Sequence, residues 1–227
     1  MSRLCLILFG PPGSGKGTQA KFLRQALNVA HISTGDMLRE RVASGDELGR
    51  RVAGMMQSGT LVPDDTVNRL VEDRIELPDC ARGFILDGYP RTVTQAVLLG
   101  QVLAAKGITP VVVHLHVEYN VIIARLSGRR QCPTCGALYG VTSNSPEVSE
   151  VCDYDGSKLV IREDDRAEVV LERLRAYDRQ TVPVLEHLKK AGYPVFVVQG
   201  AETAPQAIAR KIEALVLKVE KGAHRGE

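Results

Sequence analysis

Three groups of residues have the types and spacing that chemistry needs. The first is Gly10-Pro11-Pro12-Gly13-Ser14-Gly15-Lys16-Gly17-Thr18. Its glycines let backbone N–H groups turn inward around a chain of phosphates, and Lys16 supplies a mobile cation for the outer ones. The usual pattern for such a loop puts Ser or Thr directly after the lysine. Here Gly17 stands there and the hydroxyl follows at Thr18. A magnesium ion on the phosphates is then expected to be held largely through water. The alternative is a plain glycine-rich turn into a helix.

The second group is a set of arginines and one carboxylate. Asp87 ends the short apolar run Phe84-Ile85-Leu86, placed to hold magnesium or its waters, or else serving as a turn former. Arg91 follows the tight turn Gly88-Tyr89-Pro90. Arg125 and Arg129 are four apart, so a helix carrying both shows them on one face. Arg162 and Arg173 are eleven apart, close to three turns if the helical path begins that early. Thr34 and Arg39 could serve a phosphate; taken alone they also read as a helix cap and a solvated helix face.

The third group is Cys132-x2-Cys135, sixteen residues, then Cys152-x2-Asp155. Two such knuckles bring four ligands to one ion in the spacing of a tetrahedral zinc site. The segment is poor in apolar residues, and a structural metal supplies what a small core cannot. Cobalt or iron would also suit thiolates, and the other reading is a loop with reduced cysteines. Cys5 and Cys80 lie outside the pattern, Cys5 as a core residue.

The elements that must position these groups alternate. Leu4 to Phe9 reads as a buried strand, followed by a helix over Gln19 to Leu27. A strand ends near Ile32, with Ser33, Thr34 and Asp36 as candidate caps. Two short helices end at Gly45 and Gly59, and Asp64 is a candidate cap for the next. A helix from Thr92 to Lys106 precedes the strand Val111 to Val117, where His114 and His116 share a face as hydrogen-bonded residues. A long helix over Arg166 to Ala191 is expected to bend at Pro183. Pro194 to Val198 is the last strand and Pro205 to Val219 the closing helix. This alternation argues a parallel sheet with helices on both faces.

The totals set bounds. With 227 residues, 29 basic and 27 acidic, the chain has room for a large core and no bulk charge to recommend nucleic acid or membrane. Six apolar residues after Arg3 are too few for a signal peptide, no run is long enough to span a bilayer, and the cysteine spacing favours metal over disulfides. A cytoplasmic protein is expected, with a charged, frayed tail over 220–227.

Together these motifs resemble the adenylate kinase family, in its long-lid bacterial type, over nearly the whole chain. The phosphate loop, His31-Ile32-Ser33-Thr34-Gly35-Asp36-Met37-Leu38-Arg39, Phe84 to Thr92, Gly128-Arg129-Arg130 and Arg162-Glu163-Asp164-Asp165 carry the resemblance. It implies an α/β fold: a P-loop NTPase-like parallel five-stranded sheet with helices on both faces, a helical nucleoside-monophosphate-binding insertion and a zinc-bearing lid. The implied division is core 1–32, insertion 33–62, core 63–129, lid 130–161 and core 162–227. The implied reaction is reversible phosphoryl transfer from magnesium ATP to AMP, giving two ADP.

The resemblance also implies roles. Gly13, Ser14, Gly15, Lys16, Gly17 and Thr18 would hold ATP phosphates, with Arg125 on the donor base and Arg129 on its phosphate. Thr34, Arg39, Thr60, Leu61, Val62, Gly88, Arg91 and Gln95 would hold AMP, joined by Arg162 and Arg173. Lys16, Asp87, Arg91, Arg129, Arg162 and Arg173 would be catalytic. Cys132, Cys135, Cys152 and Asp155 would hold zinc, and a monomer is implied. Gly140 and Ser143-Asn144-Ser145-Pro146 stand where many members have His and Phe-Asn-Pro-Pro. Gln95 favours AMP because its amide donates and accepts at once. The rivals are a kinase for another nucleoside monophosphate, and a nucleotide-dependent switch whose zinc knuckle grips a partner.

Overall fold

A computed structural model describes residues 3–140, 144–201 and 204–223, with side chains to residue 220. The departure expected at Ser143 and the tail beyond residue 223 lie outside the described residues.

Five strands, β1 (Leu4–Phe9), β2 (Ala30–Ser33), β3 (Gly83–Asp87), β4 (Pro110–His116) and β7 (Val195–Gln199), form one sheet. Its order is β2-β3-β1-β4-β7, and every pairing is parallel. The central strand β1 explains the two faces. Successive side chains of a strand point to opposite sides. Cys5, Ile7 and Phe9 therefore enter one core with Ile32, Leu86 and Val112, while Leu4, Leu6 and Leu8 enter the other with Val113 and Leu115. Burial on both faces is why β1 reads as an unbroken apolar run.

The second core is closed by α1 (Lys16–Leu27) and α9 (Pro205–Ala223), through Ala20, Leu23, Ile208, Ile212 and Val216. The first is closed by α4 (Asp64–Ile75), α5 (Val93–Ala105) and α8 (Val182–Lys190), through residues such as Val71, Leu99 and Val184. The helices α2 (Thr34–Ser44) and α3 (Glu47–Ser58) fill the first excursion, and their Leu38 and Val52 reach the same core. After α6 (Tyr119–Ser127), the second excursion opens with an antiparallel hairpin of β5 (Arg129–Gln131) and β6 (Leu138–Gly140).

Caps behave as the residue types dictate. Ser33 accepts from the Asp36 N–H at 3.2 Å to start α2, and Thr92 accepts from the Gln95 N–H at 3.1 Å to start α5. Gly45 and Gly59 end α2 and α3 with positive φ.

Four expectations need correction. The first helix begins at Lys16, three residues before Gln19, so the lysine itself opens it. Asp64 does not cap α4; Pro63 precedes the helix, and the Asp64 carboxylate turns instead to α5. Arg129 is not on the helix with Arg125. That helix ends at Ser127, Gly128 breaks it as a poor helix former, and Arg129 pairs with Gly140 in the hairpin. Pro183 is absorbed by more than a bend: α7 (Ala167–Ala176) passes through a π turn, Tyr177–Thr181, into α8. A proline ring crowds the carbonyl four residues back, and the wider turn relieves that contact. In an unbroken helix residue 181 would stand about 80° around from residue 173, and the extra residue takes back roughly 100°. Thr181 thus donates to the Arg91 carbonyl at 2.9 Å from the face that carries Arg173.

Candidate functional site

The loop between β1 and α1 lies at the carboxyl ends of the strands, where open α/β sheets hold ligands. Gly13 and Gly15 take φ of 80° and 96°, which L side chains rarely adopt. The helix start of α1 adds its partial positive charge. Lys16 is half-buried, its Nζ donating to the carbonyls of Gly10 at 2.8 Å and Pro11 at 2.9 Å. Burial pulls its pKa down to about 8, opposed by Asp87 and assisted by Arg91, Arg173 and Arg129. A Cβ on Gly17 would meet the Asp87 carboxylate at 3.3 Å. The glycine after the lysine therefore makes room for a carboxylate at the end of β3, a place suited to the water shell of a magnesium ion carried in on phosphates. His31 Nε2 lies 3.4 Å from the same carboxylate.

A second set of groups faces the loop. Arg91 donates through Nε to the Gly88 carbonyl at 2.7 Å, and Thr34 Oγ1 donates to the same oxygen at 2.9 Å. A Cβ on Gly88 would come within 2.9 Å of Arg91 Nη2 and 3.1 Å of Thr34 Oγ1 and so displace the guanidinium, and the φ of 79° itself favours glycine. Arg162 donates to the Gln131 side chain at 2.6 Å, and Arg125 to the Gly200 carbonyl at 2.9 Å. Burial, then the neighbouring arginines, draw Arg162 down to about 10; burial and Arg173 do the same to Arg91.

Two aspartates hold this crowd of cations together, and neither was singled out from sequence. Asp165 has no exposed side-chain surface; it accepts the fork of Arg129 (Nε at 2.6 Å, with Nη2 on the other oxygen) and Nη1 of Arg173 at 3.3 Å. Asp164 faces Arg173 at 3.0 Å and Arg39 at 3.5 Å. Arg162 and Arg173 do meet at one cleft, but not by helical phase. Arg162 is extended and precedes a short 3-10 turn over Glu163–Asp165, and Arg166 is extended again. The run Glu163-Asp164-Asp165 held the signal, since acidic residues beside so many arginines need a reason.

Gly13 to Thr18, Asp87, Arg125, Arg129 and Arg162 line one open cleft of about 1030 Å³. Thr34, Thr60, Val62 and Gln95 line a hollow of about 70 Å³ beside it. Arg39, Leu61, Gly88, Arg91 and Arg173 border both. Tyr89 anchors the turn between them, its hydroxyl donating to Asn68 Oδ1 at 2.7 Å. Of the two histidines on β4, His114 hydrogen-bonds Tyr177 at 3.3 Å and is pushed down to about 4 by burial and then His116. It stays neutral, and His116 meets Glu118 at 3.3 Å. Both are hydrogen-bonded strand residues, as their setting on β4 suggested.

The ligand atoms of Cys132, Cys135, Cys152 and Asp155 all lie within 4.8 Å of one another. Sγ of Cys135 and Cys152 are 3.5 Å apart, and Asp155 oxygens are 3.3 and 3.4 Å from Cys132 Sγ. Tetrahedral thiolates about 2.3 Å from zinc would stand about 3.8 Å apart, whereas a disulfide closes to about 2.05 Å. The donors thus fit a metal and not a disulfide. Asp155 is held below the ordinary carboxylate range, first by the Ser157 N–H, so it offers an ionised oxygen. Among the described residues, the apolar cluster here is Cys132, Tyr139, Cys152 and Leu159, with Ala137 against it.

A phosphate-cradling loop, a strand-end carboxylate and a second cationic hollow across one cleft define a nucleoside monophosphate kinase. The family model described as adenylate kinase matches residues 8–193. An adenylate kinase of Methanocella arvoryzae is 49% identical over 186 residues, covering 81% of this chain and 86% of the relative. One from Finegoldia magna is 43% identical over 218 residues, covering 96% and 99%. One from Caldanaerobacter subterraneus subsp. tengcongensis is 44% identical over 188 residues, covering 82% and 85%. The chain belongs to the adenylate kinase family.

Proposed function

We propose that the protein moves a phosphoryl group reversibly between ATP and AMP, giving two ADP, with the residues around its two hollows divided between the nucleotides. The observation that carries this division is the band of Arg91, Arg129, Arg162 and Arg173 between the Lys16 loop and the Gln95 hollow. Lys16 and the loop amides take the ATP phosphates, and Arg125 the donor base. Thr34, Arg39, residues 60–62, Gly88, Arg91 and Gln95 take AMP. The acceptor is already an ionised phosphate oxygen, so no general base is needed. Catalysis is then positioning and charge stabilisation, for which planar guanidinium forks suit phosphate oxygens. Magnesium carried in with ATP would supply neutralisation of the developing charge, and Asp87 is the carboxylate that would hold its water shell.

Water is the competing acceptor, and segments 33–62 and 130–161 act as flaps that close around both nucleotides. Cys132, Cys135, Cys152 and Asp155 would hold zinc, which would supply the second flap with a structural tie. Near-neutral net charge favours small-molecule partners over nucleic acid, and no described helix is long and apolar enough to cross a membrane. We take the working form to be a cytoplasmic monomer.

Transfer from magnesium ATP is tested with AMP, CMP, UMP and GMP offered separately. Strong ADP formation with AMP alone is expected. Preference for another monophosphate would overturn the acceptor assignment, and ATP turnover without acceptor would point to a switch.

Two further outcomes follow from the site's chemistry. Stripping the metal with a chelator lowers the melting temperature, because the small core of the second flap cannot hold its shape alone. A loss of turnover with melting unchanged would make the metal catalytic instead. Nucleotide affinity also depends on pH through Lys16. Its pKa is about 8 without ligand, and a bound polyphosphate raises it. Well below pH 8 the lysine is already charged and binding takes up almost no proton through it. Above it, each pH unit weakens ATP by up to about tenfold, with proton uptake on binding. Calorimetry at pH 7 and 9.5, each in two buffers of different ionisation heat, reads both; equal affinity and no uptake would contradict it.

A further inference from the structure

The Gln95 side chain is 2% exposed, and its amide is held at both ends. Nε2 donates to Asp64 Oδ1 at 2.8 Å, and Oε1 accepts from the Arg91 N–H at 2.7 Å. Asp64 is itself fixed, because its other oxygen accepts from Thr92 Oγ1 at 2.8 Å, while Thr92 caps the helix that carries Gln95. A carboxylate only accepts and a backbone N–H only donates. The two partners therefore agree on one orientation of the amide. Turned over, it would set oxygen against carboxylate and N–H against N–H.

This matters because an amide free to turn over reads two kinds of purine. With its oxygen toward position 6 it accepts from an amino group and donates to an unprotonated N1, as in adenine. Turned over, it donates to a 6-oxo group and accepts from a protonated N1. One N–H and one oxygen lone pair of Gln95 remain for such contacts in the hollow. We propose that Asp64 is a positioning residue for specificity: it locks the Gln95 amide in the sense that reads a 6-aminopurine and excludes a 6-oxopurine monophosphate. The discrimination is a penalty on the wrong base as much as a gain on the right one. It rests on the reading of Gln95 as the acceptor-base contact.

The test compares kcat/KM for AMP and for inosine monophosphate, which differ in the polarity of this edge. In Asp64→Asn the new amide can pair with either orientation of Gln95, so that only the Arg91 N–H still opposes the turned-over one. The AMP preference is expected to fall about tenfold, mainly through a gain with inosine monophosphate. Asp64→Ala, where water replaces the carboxylate, gives the same direction and serves if Asp64→Asn does not fold. In a Gln95→Leu background, Asp64→Asn has no further effect on the ratio. A parallel fall for both monophosphates, or a ratio unchanged within about twofold, overturns the role of Asp64 as more than a structural residue. A ratio that Gln95→Leu itself leaves unchanged overturns the Gln95 reading, and the proposal with it.

Discussion

Lys16→Ala lowers turnover by on the order of 10²-fold or more, the scale of losing one preorganised charge contact at a reacting centre. The fold does not suffer. In the ligand-free site the ammonium stands among Arg91, Arg129 and Arg173, and burial has already drawn its pKa down to about 8. Its contacts are two carbonyls of its own loop, Gly10 and Pro11. Removing it relieves burial and the repulsion of three arginines but gives up the attraction of Asp87 and the two carbonyl contacts, so the melting temperature shifts little while the reaction fails. Steady-state kinetics with a thermal melt read both. An unchanged rate would remove Lys16 from the mechanism, and a collapsed melt would show it to be a structural residue.

Asp165→Ala has the opposite character and costs about 3–5 kcal/mol of stability. Its carboxylate is fully buried and serves the Arg129 fork and Arg173 together. Without it the Arg129 fork has no carboxylate, and Arg173 keeps only Asp164 at 3.0 Å. Glu163→Ala, two residues away, removes a pair with Arg166 whose side chains are 60% and 62% exposed, and shifts stability by no more than about 0.5 kcal/mol. Bound ATP returns part of the Asp165→Ala loss, since its phosphates replace the missing charge. Urea unfolding of both variants, with and without ATP, is the measurement. Equal stabilities for the two would mean that Arg129 needs no buried counter-ion of its own.

Legibility from sequence followed the range of the interaction. The β1 strand, the phosphate loop and the cap at Ser33 are local events, decided by burial pattern, glycine conformation and a hydroxyl three residues from its N–H. The Cys132, Cys135, Cys152 and Asp155 cluster was legible because a metal sets its own spacing rule. What failed was phase and long-range pairing. Gly128 ended a helix that Arg125 and Arg129 were expected to share, and the π turn before Pro183 changed the helical count that pattern reading assumes. Asp64 has the residue type of a cap, yet its carboxylate is claimed by Thr92 and Gln95, some 30 positions on, a pairing that only the packed chain brings about. The role of Asp164 and Asp165 likewise depends on arginines from distant segments converging, which no local pattern records.

The most direct test of the site is a crystal structure with a bisubstrate analogue, two adenosines joined through a chain of phosphates. One adenine is expected against Gln95 in the smaller hollow. The phosphates are expected to run between Lys16 and the forks of Arg91, Arg129, Arg162 and Arg173, with Asp87 beside the magnesium waters. An adenosine bound away from Gln95, or a phosphate chain that bypasses Lys16 and the four arginines, would contradict the division of the cleft between donor and acceptor.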